Sequence, residues 1–325
     1  MLEPLGWDAR VAAGYAALVG DDTTDLVPGR VVRVDRGSVI VTTEHGDRRA
    51  IAESQPAVGD WVAIELVDGN DDDARVRGVV ERFSELARRD PERGVAQVLA
   101  ANVDLVLIAA PGDRPNLGRV ERETVLAWDS GARPVVVITK ADVAGSDVAD
   151  DLRRRLVGVD VLETSTVQRA GITQVAELIA PNLTAVMLGP SGAGKSTLVN
   201  ALLGEERFST GDVRVSDSRG RHTTTSRELV VLPTGGVLID TPGLRSLGLL
   251  SSDGIEAAFS DIEALAEHCR FSDCAHDREP GCAVHAAVAD GTLTSERLAA
   301  YRKLQDEATA EAERALAKRD ARGRR

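Results

Sequence analysis

The chain has 325 residues, 43% of them hydrophobic and 28% charged, which suits two or three globular domains and excludes a wholly disordered chain. Its formal net charge of −13 excludes binding to nucleic acid by bulk attraction, because the average surface repels phosphates. No apolar run is long enough to span a bilayer, and the first residues, MLEPLGWDAR, lack a basic segment followed by an apolar one. We therefore expect a cytoplasmic protein without a membrane partner, and assume a monomer.

Residues 27–86 have the pattern of several short strands. Apolar positions alternate with polar or charged ones in four segments, at 30–35, 38–43, 60–66 and 75–83. Turn residues separate these segments, so the pattern predicts a small antiparallel barrel. An oligonucleotide-binding (OB) barrel fits this description. Any small barrel would also satisfy it, and few aromatic residues are available for base stacking.

From about residue 95 the predicted strands become continuous apolar runs. There are four of them, at 103–110, 134–139, 184–189 and 237–243. Helical stretches alternate with these runs, at 119–131, 147–158 and 171–180. Such runs are typical of strands covered on both faces, so the sequence predicts a doubly wound parallel sheet. After residue 251 it predicts a helix near 254–268, a loop that carries the cysteines, and a helix from about Ser295.

The segment 189-GPSGAGKST-197 matches the phosphate-binding pattern G-x-x-x-x-G-K-[ST] and lies between a predicted strand and a predicted helix. A chance glycine-rich turn is the alternative. In a phosphate-binding loop the backbone amides close around the β-phosphate, and the helix dipole favours negative charge there. We expect Lys195 to reach the β- and γ-phosphates and Ser196 to hold Mg²⁺. The predicted nucleotide contacts of this loop are Gly189, Pro190, Ser191, Gly192, Ala193, Gly194, Lys195, Ser196 and Thr197.

A second strand end, 237-VLIDTPG-243, supplies the acidic partner that such a loop needs. Asp240 can hold a water on the magnesium ion, and the amide of Gly243 can donate to a γ-phosphate. A D-T-P-G segment by itself is a common turn. Following a phosphate-binding loop, it is the expected sensor of the third phosphate.

The tetrapeptide 139-TKAD-142 decides between an ATPase and a GTPase. One carboxylate can accept both N1–H and N2–H₂ of guanine, and adenine offers no matching pair of donors. Asp142 is placed for that role at the end of a predicted strand, with the aliphatic stem of Lys140 over the purine. Thr139 and Ala141 complete the segment. The turn 163-ETSTV-167 either adds the amides of Thr164 and Ser165 to the base pocket or is an ordinary strand-to-helix turn.

The three cysteines of the chain lie close together with a histidine, as Cys269, Cys274, His276 and Cys282. An odd number of crowded cysteines argues against a disulfide framework. Three thiolates and one imidazole complete a closed tetrahedral Zn²⁺ shell, which is typical of a structural site. Scattered buried cysteines are the alternative, and His268 and His285 lie near enough to replace His276.

The motifs occur in the order base pocket, phosphate loop, γ-phosphate sensor, which is a circular permutation of the usual GTPase order. Together with 220-GRHTTT-225 and the cysteine segment, the chain resembles the ribosome small-subunit-dependent GTPase A (RsgA, or YjeQ) family over nearly its whole length. The resemblance implies GTP hydrolysis stimulated by the 30S subunit during its late maturation, with 16S rRNA as a partner. It also favours His276 as the zinc ligand. One departure is Thr139, where the family often has Asn.

The resemblance implies three domains. They are an OB-type barrel with an amino-terminal extension at 1–90, a circularly permuted GTPase domain at 91–250 and a mainly helical zinc domain at 251–325. The implied ligands are GTP or GDP, Mg²⁺ and one structural Zn²⁺. The basic tail 314–325 is either a local RNA contact or a solvated end.

The water-orienting glutamine of many GTPases is replaced by Leu244, and an apolar side chain cannot hold a water. We therefore expect slow intrinsic hydrolysis. Thr224, or failing that Thr223, is predicted to complete the Mg²⁺ shell. His222 is a candidate to position the attacking water or to accept its proton. The alternative is that Arg221 and His222 contact rRNA phosphates or solvent.

Overall fold

The computed structural model of the protein describes residues 2–20, 26–67, 73–89, 96–179, 182–208, 228–240, 253–277 and 279–323. A barrel of five strands lies near the amino terminus: β1 (Leu26–Asp35), β2 (Ser38–Thr43), β3 (Gly46–Ala52), β4 (Trp61–Leu66) and β5 (Asp73–Val79). Its strand order is β1-β2-β3-β5-β4, and β4 pairs back onto β1 to close it. Val31, Val41 and Ile64 are fully buried inside. The predicted OB-type barrel is confirmed, but it is not wholly antiparallel, because β3 and β5 pair in parallel.

Several amino-terminal elements give little signal in the sequence. Strand β3 was not predicted, because its inner face carries Arg48, Ala50 and Ala52 and so has no large apolar residue. The helix α1 (Ala9–Val19) was not predicted either. The predicted strand at 75–83 ends at Val79.

A hairpin of β6 (Glu85–Arg89) and β7 (Ala96–Ala101) follows the barrel, and the predicted domain boundary after residue 90 lies between its two strands. The domain boundaries stay a prediction.

The central sheet contains six strands: β8 (Leu105–Pro111), β9 (Arg133–Thr139), β10 (Asp160–Glu163), β11 (Thr184–Leu188), β12 (Glu228–Val231) and β13 (Val237–Asp240). Their order is β10-β9-β8-β11-β13-β12. The first five strands in this order are parallel, and β12 pairs antiparallel with β13 at the end. The carboxyl ends of β9, β10, β11 and β13 therefore lie at one edge, where ligands collect in open α/β sheets. The predicted doubly wound sheet is confirmed.

Four helices cover the two faces of this sheet: α2 (Leu117–Asp129), α3 (Val148–Arg155), α4 (Ile172–Ile179) and α5 (Lys195–Leu203). Successive residues of each strand point to opposite faces of the sheet, so neighbouring residues pack in different cores. Val106 and Val136 pack in the core that also contains residues of α2 and α3. Leu107 and Val137 pack in the core that contains residues of α4 and α5. The continuous apolar runs in the sequence follow from this coverage of both faces.

The barrel and the central sheet form one continuous sheet of 11 strands, because Arg33 of β1 pairs with Glu228 of β12. Arg30 lies at this junction and is only 1% exposed, so its charged side chain needs hydrogen-bond partners within the protein. Its guanidinium donates to the carbonyls of Leu5, Gly59 (3.2 Å) and Asn102 (3.2 Å) and to Oγ1 of Thr184 (2.8 Å). Burial lowers the pKa of Arg30 to about 10, and nearby Asp104, Asp60 and Asp8 oppose this shift.

The carboxy-terminal region consists of helices and loops within 253–277 and 279–323: α6 (Asp253–Ala258), α7 (Ser260–Ala266), α8 (Ala283–Asp290) and α9 (Ser295–Gly323). The helix predicted near 254–268 is thus two helices, with the break at Phe259, whose ring is buried at 1% exposure. Residues of α6 and α9 share one hydrophobic core with α2. The guanidinium of Arg122 of α2 also donates to the carboxylate of Glu307 of α9, at 2.7, 3.0 and 3.3 Å. None of the helices in the described ranges combines the length and apolar character of a membrane span.

Candidate nucleotide and zinc sites

The phosphate-binding loop connects β11 to α5, as predicted. Gly189, Gly192 and Gly194 have positive φ angles of 131°, 75° and 81°, which L side chains rarely adopt. A Cβ on Gly189 would lie 2.6 Å from the carbonyl oxygen of Ala109 on β8. The ammonium of Lys195 donates to the carbonyls of Gly189 (2.9 Å) and Pro190 (2.7 Å) of its own loop. The loop therefore curls around the amino end of a helix and carries one cation there, which suits an anionic ligand.

The tetrapeptide 139-TKAD-142 follows β9 and contacts this loop directly. The Thr139 hydroxyl, 4% exposed, donates to the carbonyl of Ala193 at 2.5 Å. Lys140 has a φ of 53°, so the chain turns sharply after the strand. The amide of Ala141 donates to the carbonyl of Thr164 at 3.0 Å. The two motifs, about fifty residues apart in the sequence, thus lie side by side.

The carboxylate of Asp142 is held by a neighbouring hydroxyl. Ser165 Oγ donates to Asp142 Oδ1 at 2.6 Å and accepts from the amide of Gln168 at 3.1 Å. The amides of Thr164 and Ser165 are both engaged, donating to the carbonyls of Ile138 (2.7 Å) and Ala170 (3.0 Å). These two predicted amide donors to the base are therefore already paired. Ser165 contributes instead through its side chain, which fixes the orientation of the carboxylate.

A cavity of about 310 Å³ joins the two motifs. It is lined by Thr139, Lys140, Asp142, Val143, Thr164, Thr166, Val167, Gly194, Thr197 and Leu198. Asp142 and the phosphate-binding loop therefore open onto one space, which is large enough for a purine. Pro190, Ser191, Gly192 and Ser196 lie on the same loop and first helical turn, outside the lining. Thr166 and Val167 belong to the turn 163–167 that the sequence offered as part of the base pocket, whereas Val143 and Leu198 were not predicted. Val143 gave a signal in the sequence, because it is an apolar residue in a polar turn.

The predicted magnesium and γ-phosphate contacts are described only in part. Ser196 lies in the first turn of α5, and Asp240 ends β13 beside β11. The backbone of Asp240 is therefore at the edge of the sheet that carries the phosphate-binding loop. The side chain of Asp240, together with Gly243, His222 and Thr224, lies outside the described residues.

The three cysteines and His276 converge as predicted, with one ligand atom of each within 4.8 Å of the others. His276 Nδ1 lies 3.6 Å from Cys269 Sγ and 3.5 Å from Cys282 Sγ, and the two sulfurs are 3.9 Å apart. Zn–S bonds of about 2.3 Å and Zn–N bonds of about 2.0 Å give tetrahedral edges of about 3.8 Å for S–S and about 3.5 Å for S–N. The donor set and its spacing fit Zn²⁺.

The alternative histidines do not join this cluster. His268 Nδ1 lies 3.1 Å from the carbonyl of Ala264, and His285 Nε2 lies 3.2 Å from Arg302. His276 is 6% exposed, and burial lowers its pKa, which favours the neutral imidazole that a metal requires. The structure thus selects His276 from the three candidates.

Comparison with known proteins agrees with these motifs. The family model described as RsgA GTPase matches residues 79–250. The chain is 46% identical to "Small ribosomal subunit biogenesis GTPase RsgA" of Streptomyces avermitilis, over 99% of this chain and 88% of the relative. It is 42% identical to "Small ribosomal subunit biogenesis GTPase RsgA 2" of Lactiplantibacillus plantarum, over 86% of this chain and 82% of the relative.

Two solved structures share the fold. "Crystal structure of YjeQ from Thermotoga maritima" has a TM-score of 0.64 and 24% identity, covering 86% of this chain and 97% of that one. "The crystal structure of YloQ, a circularly permuted GTPase" has a TM-score of 0.64 and 23% identity, covering 86% and 96%. The relatives' sequences and the matched family model carry the assignment: the chain belongs to the RsgA GTPase family of GTP-hydrolysing enzymes, as its motifs predict.

Proposed function

We propose that this GTPase binds guanine nucleotide in the cavity between Asp142 and the phosphate-binding loop, and that its hydrolysis serves small ribosomal subunit biogenesis. The observation that supports this site is the shared lining, which brings Asp142 within one purine-sized space of Gly194 and Thr197. The relatives named for this process support the biological role. Work on the ribosomal subunit implies a cytoplasmic location.

In the proposed complex Asp142 accepts the two guanine donors, and the loop amides and Lys195 hold the phosphates. Ser196 and Asp240 would hold Mg²⁺, with Thr224 completing its shell, and the ion supplies charge neutralisation at the phosphates. Gly243 is the proposed γ-phosphate donor. His222 is the proposed group that orients water, because Leu244 cannot do so.

The proposed stimulation by the 30S subunit has a direct test. GTP turnover is measured with and without purified 30S subunits, for the wild type and for Lys195→Ala. We expect slow turnover alone, a rise of at least tenfold with subunits, and loss of turnover in the variant. Binding to the subunit without any rise would favour the second candidate, an rRNA-binding assembly chaperone that uses nucleotide as a structural ligand.

One barrel face supports rRNA binding. Arg49 and exposed Ile51 lie on β3, and Ile51 is in register with Arg75 on β5. Arg36 lies in the turn between β1 and β2. Arg36, Arg49 and Arg75 make no ion pair with another described residue, although the whole chain is acidic. The Arg49 guanidinium donates to Ser38 Oγ at 3.2 Å and has no acidic partner among the described residues. Guanidinium groups without an acidic partner, beside one apolar side chain, suit a phosphate backbone, and OB barrels bind nucleic acid through strand faces.

The salt dependence of RNA binding tests this face. The double variant Arg49→Gln, Arg75→Gln should weaken binding to 16S rRNA fragments and reduce the slope of log K against log salt by about 0.7–0.9 per lost contact. Arg153 and Arg154, which pair with acids on α3, provide the matched double-glutamine control. An unchanged slope would show that this face does not bind RNA.

A further inference from the structure

Asp113 lies outside every predicted contact and forms an ion pair with the lysine of the base-binding motif. Its Oδ2 is 3.7 Å from Nζ of Lys140, and the two side chains are 41% and 42% exposed. Asp113 belongs to the connection between β8 and α2, twenty-seven residues before Lys140. The pair therefore links two adjacent strand ends at the edge of the sheet that holds the cavity.

The backbone fixes the position of Asp113 against the base-binding motif. The amide of Gly112 donates to the carbonyl of Thr139 at 2.8 Å. A Cβ on Gly112 would lie 2.7 Å from Cβ of Ala144 and 3.0 Å from the carbonyl oxygen of Lys140, so only glycine fits there. The carboxylate is thus delivered to Lys140 by a tightly packed segment, which lowers the entropy lost in forming the pair.

Lys140 lines the cavity beside Asp142, yet its ammonium is paired outside the set of lining residues. A long lysine side chain has two parts, an apolar stem that covers apolar surface and a charged end that needs a polar partner. With the end held by Asp113, the stem is left to contact the ligand. We propose that Asp113 is a positioning residue that anchors the Lys140 ammonium so that the stem covers one face of the purine. This inference rests on the proposed guanine nucleotide site.

The experiment measures the dissociation rate of N-methylanthraniloyl-GDP from the full chain. Asp113→Asn keeps the shape of the side chain and removes its charge. We expect dissociation to be about two- to fivefold faster, the range that an exposed ion pair supports. Added salt should accelerate dissociation from the wild type and have little effect on the variant, because salt screens the same pair. Competition by inorganic tripolyphosphate should be unchanged, because Asp113 acts on the base.

Two controls separate this role from general effects. Asp147→Asn removes an equal charge from the connection that follows the same motif, where the Asp147 carboxylate accepts from Ser146 Oγ at 2.8 Å. Its dissociation rate should equal that of the wild type. In a Lys140→Met background, which keeps an apolar stem without a charge, Asp113→Asn should change nothing.

The possible failures are distinct. An unchanged or slower rate in Asp113→Asn, or an equal acceleration in the Lys140→Met background, would overturn the positioning role alone. A wild-type chain that does not bind the GDP probe would overturn the proposed nucleotide site and this inference with it. If Asp113→Asn fails to fold, the salt response of the wild type and of Lys140→Met decides, since the pair requires the response in the first and its loss in the second.

Discussion

The Thr139 hydroxyl donates to the backbone carbonyl of Ala193 across 54 positions of sequence, at 2.5 Å. This bond connects the base-binding motif directly to the phosphate-binding loop. Both groups are buried, so water does not compete for the bond. The family often has Asn at this position, and a threonine hydroxyl supplies the one donor that this carbonyl accepts. The bond therefore fixes the position of the base-binding motif relative to the phosphate-binding loop.

Thr139→Val should weaken GDP binding by about tenfold, because it keeps the side-chain shape and leaves the Ala193 carbonyl buried without its donor, at a cost of about 1–3 kcal/mol. Titration calorimetry measures the dissociation constant. Thr139→Ser retains the hydroxyl and should bind GDP nearly as well as the wild type. Equal affinities for the valine and serine variants would mean that the bond contributes nothing to the nucleotide site.

Asp142→Asn should change the preferred base from guanine to xanthine. The amide can donate where the carboxylate only accepts, and xanthine carries an oxygen where guanine carries its amino group. Loss of two charge-assisted bonds predicts GTP binding weaker by about a hundredfold. Competition between XTP and GTP measures the preference. A variant that kept its preference for GTP would place the base elsewhere in the protein.

His276→Ala should release zinc from the purified protein, and His268→Ala should not. The first removes the imidazole that lies among the three thiols, whereas the second removes one that only meets a backbone carbonyl. Metal content is read by elemental analysis, and thermal unfolding reports the effect on stability, since structural zinc contributes directly to folding. Equal zinc in both variants would contradict the proposed ligand set.

Arg30→Met should lower the free energy of unfolding by about 3 kcal/mol or more, because it leaves several buried acceptors between the barrel and the central sheet unpaired. Chemical denaturation measures the change. Arg33→Met is the matched control, since the Arg33 side chain is partly exposed and its guanidinium forms an ion pair with Asp35, so its change should stay within about 0.5 kcal/mol. A small change in the free energy of unfolding for Arg30→Met would mean that water hydrogen-bonds to the acceptors that Arg30 leaves.

Glu123 of α2 predicts a pH dependence of stability. Burial raises its pKa above the ordinary 4.5, although Arg119 donates to Oε1 at 2.8 Å. Its contribution to stability is therefore fully present below pH 4.5 and is lost as pH rises through the higher pKa of the folded state. Glu123→Gln should match the wild type near pH 4 and be more stable at about pH 7. Urea denaturation at the two pH values tests this, and an equal difference at both would contradict it.

Much of the site could be predicted from sequence because its motifs carry local constraints. The glycines of 189–194 need φ angles that other residues avoid, and the metal cluster needs four ligands in a short segment. Strand β3 could not be predicted, because its less exposed positions are Arg48, Ala50 and Ala52, and its one large apolar residue, Ile51, is exposed. The break at Phe259 could not be predicted either, since one helical period continues across it.

The sequence by itself determined the order of the motifs, the alternation of buried strands with helices, and the residue types able to bind guanine, phosphate and zinc. Each of these depends on local chemistry within a few residues. Only the tertiary structure decided which distant groups meet: Ser165 with Asp142, Asp113 with Lys140, and Arg30 with the central sheet. Such pairs depend on strand order and register, and these are fixed by packing across the whole chain.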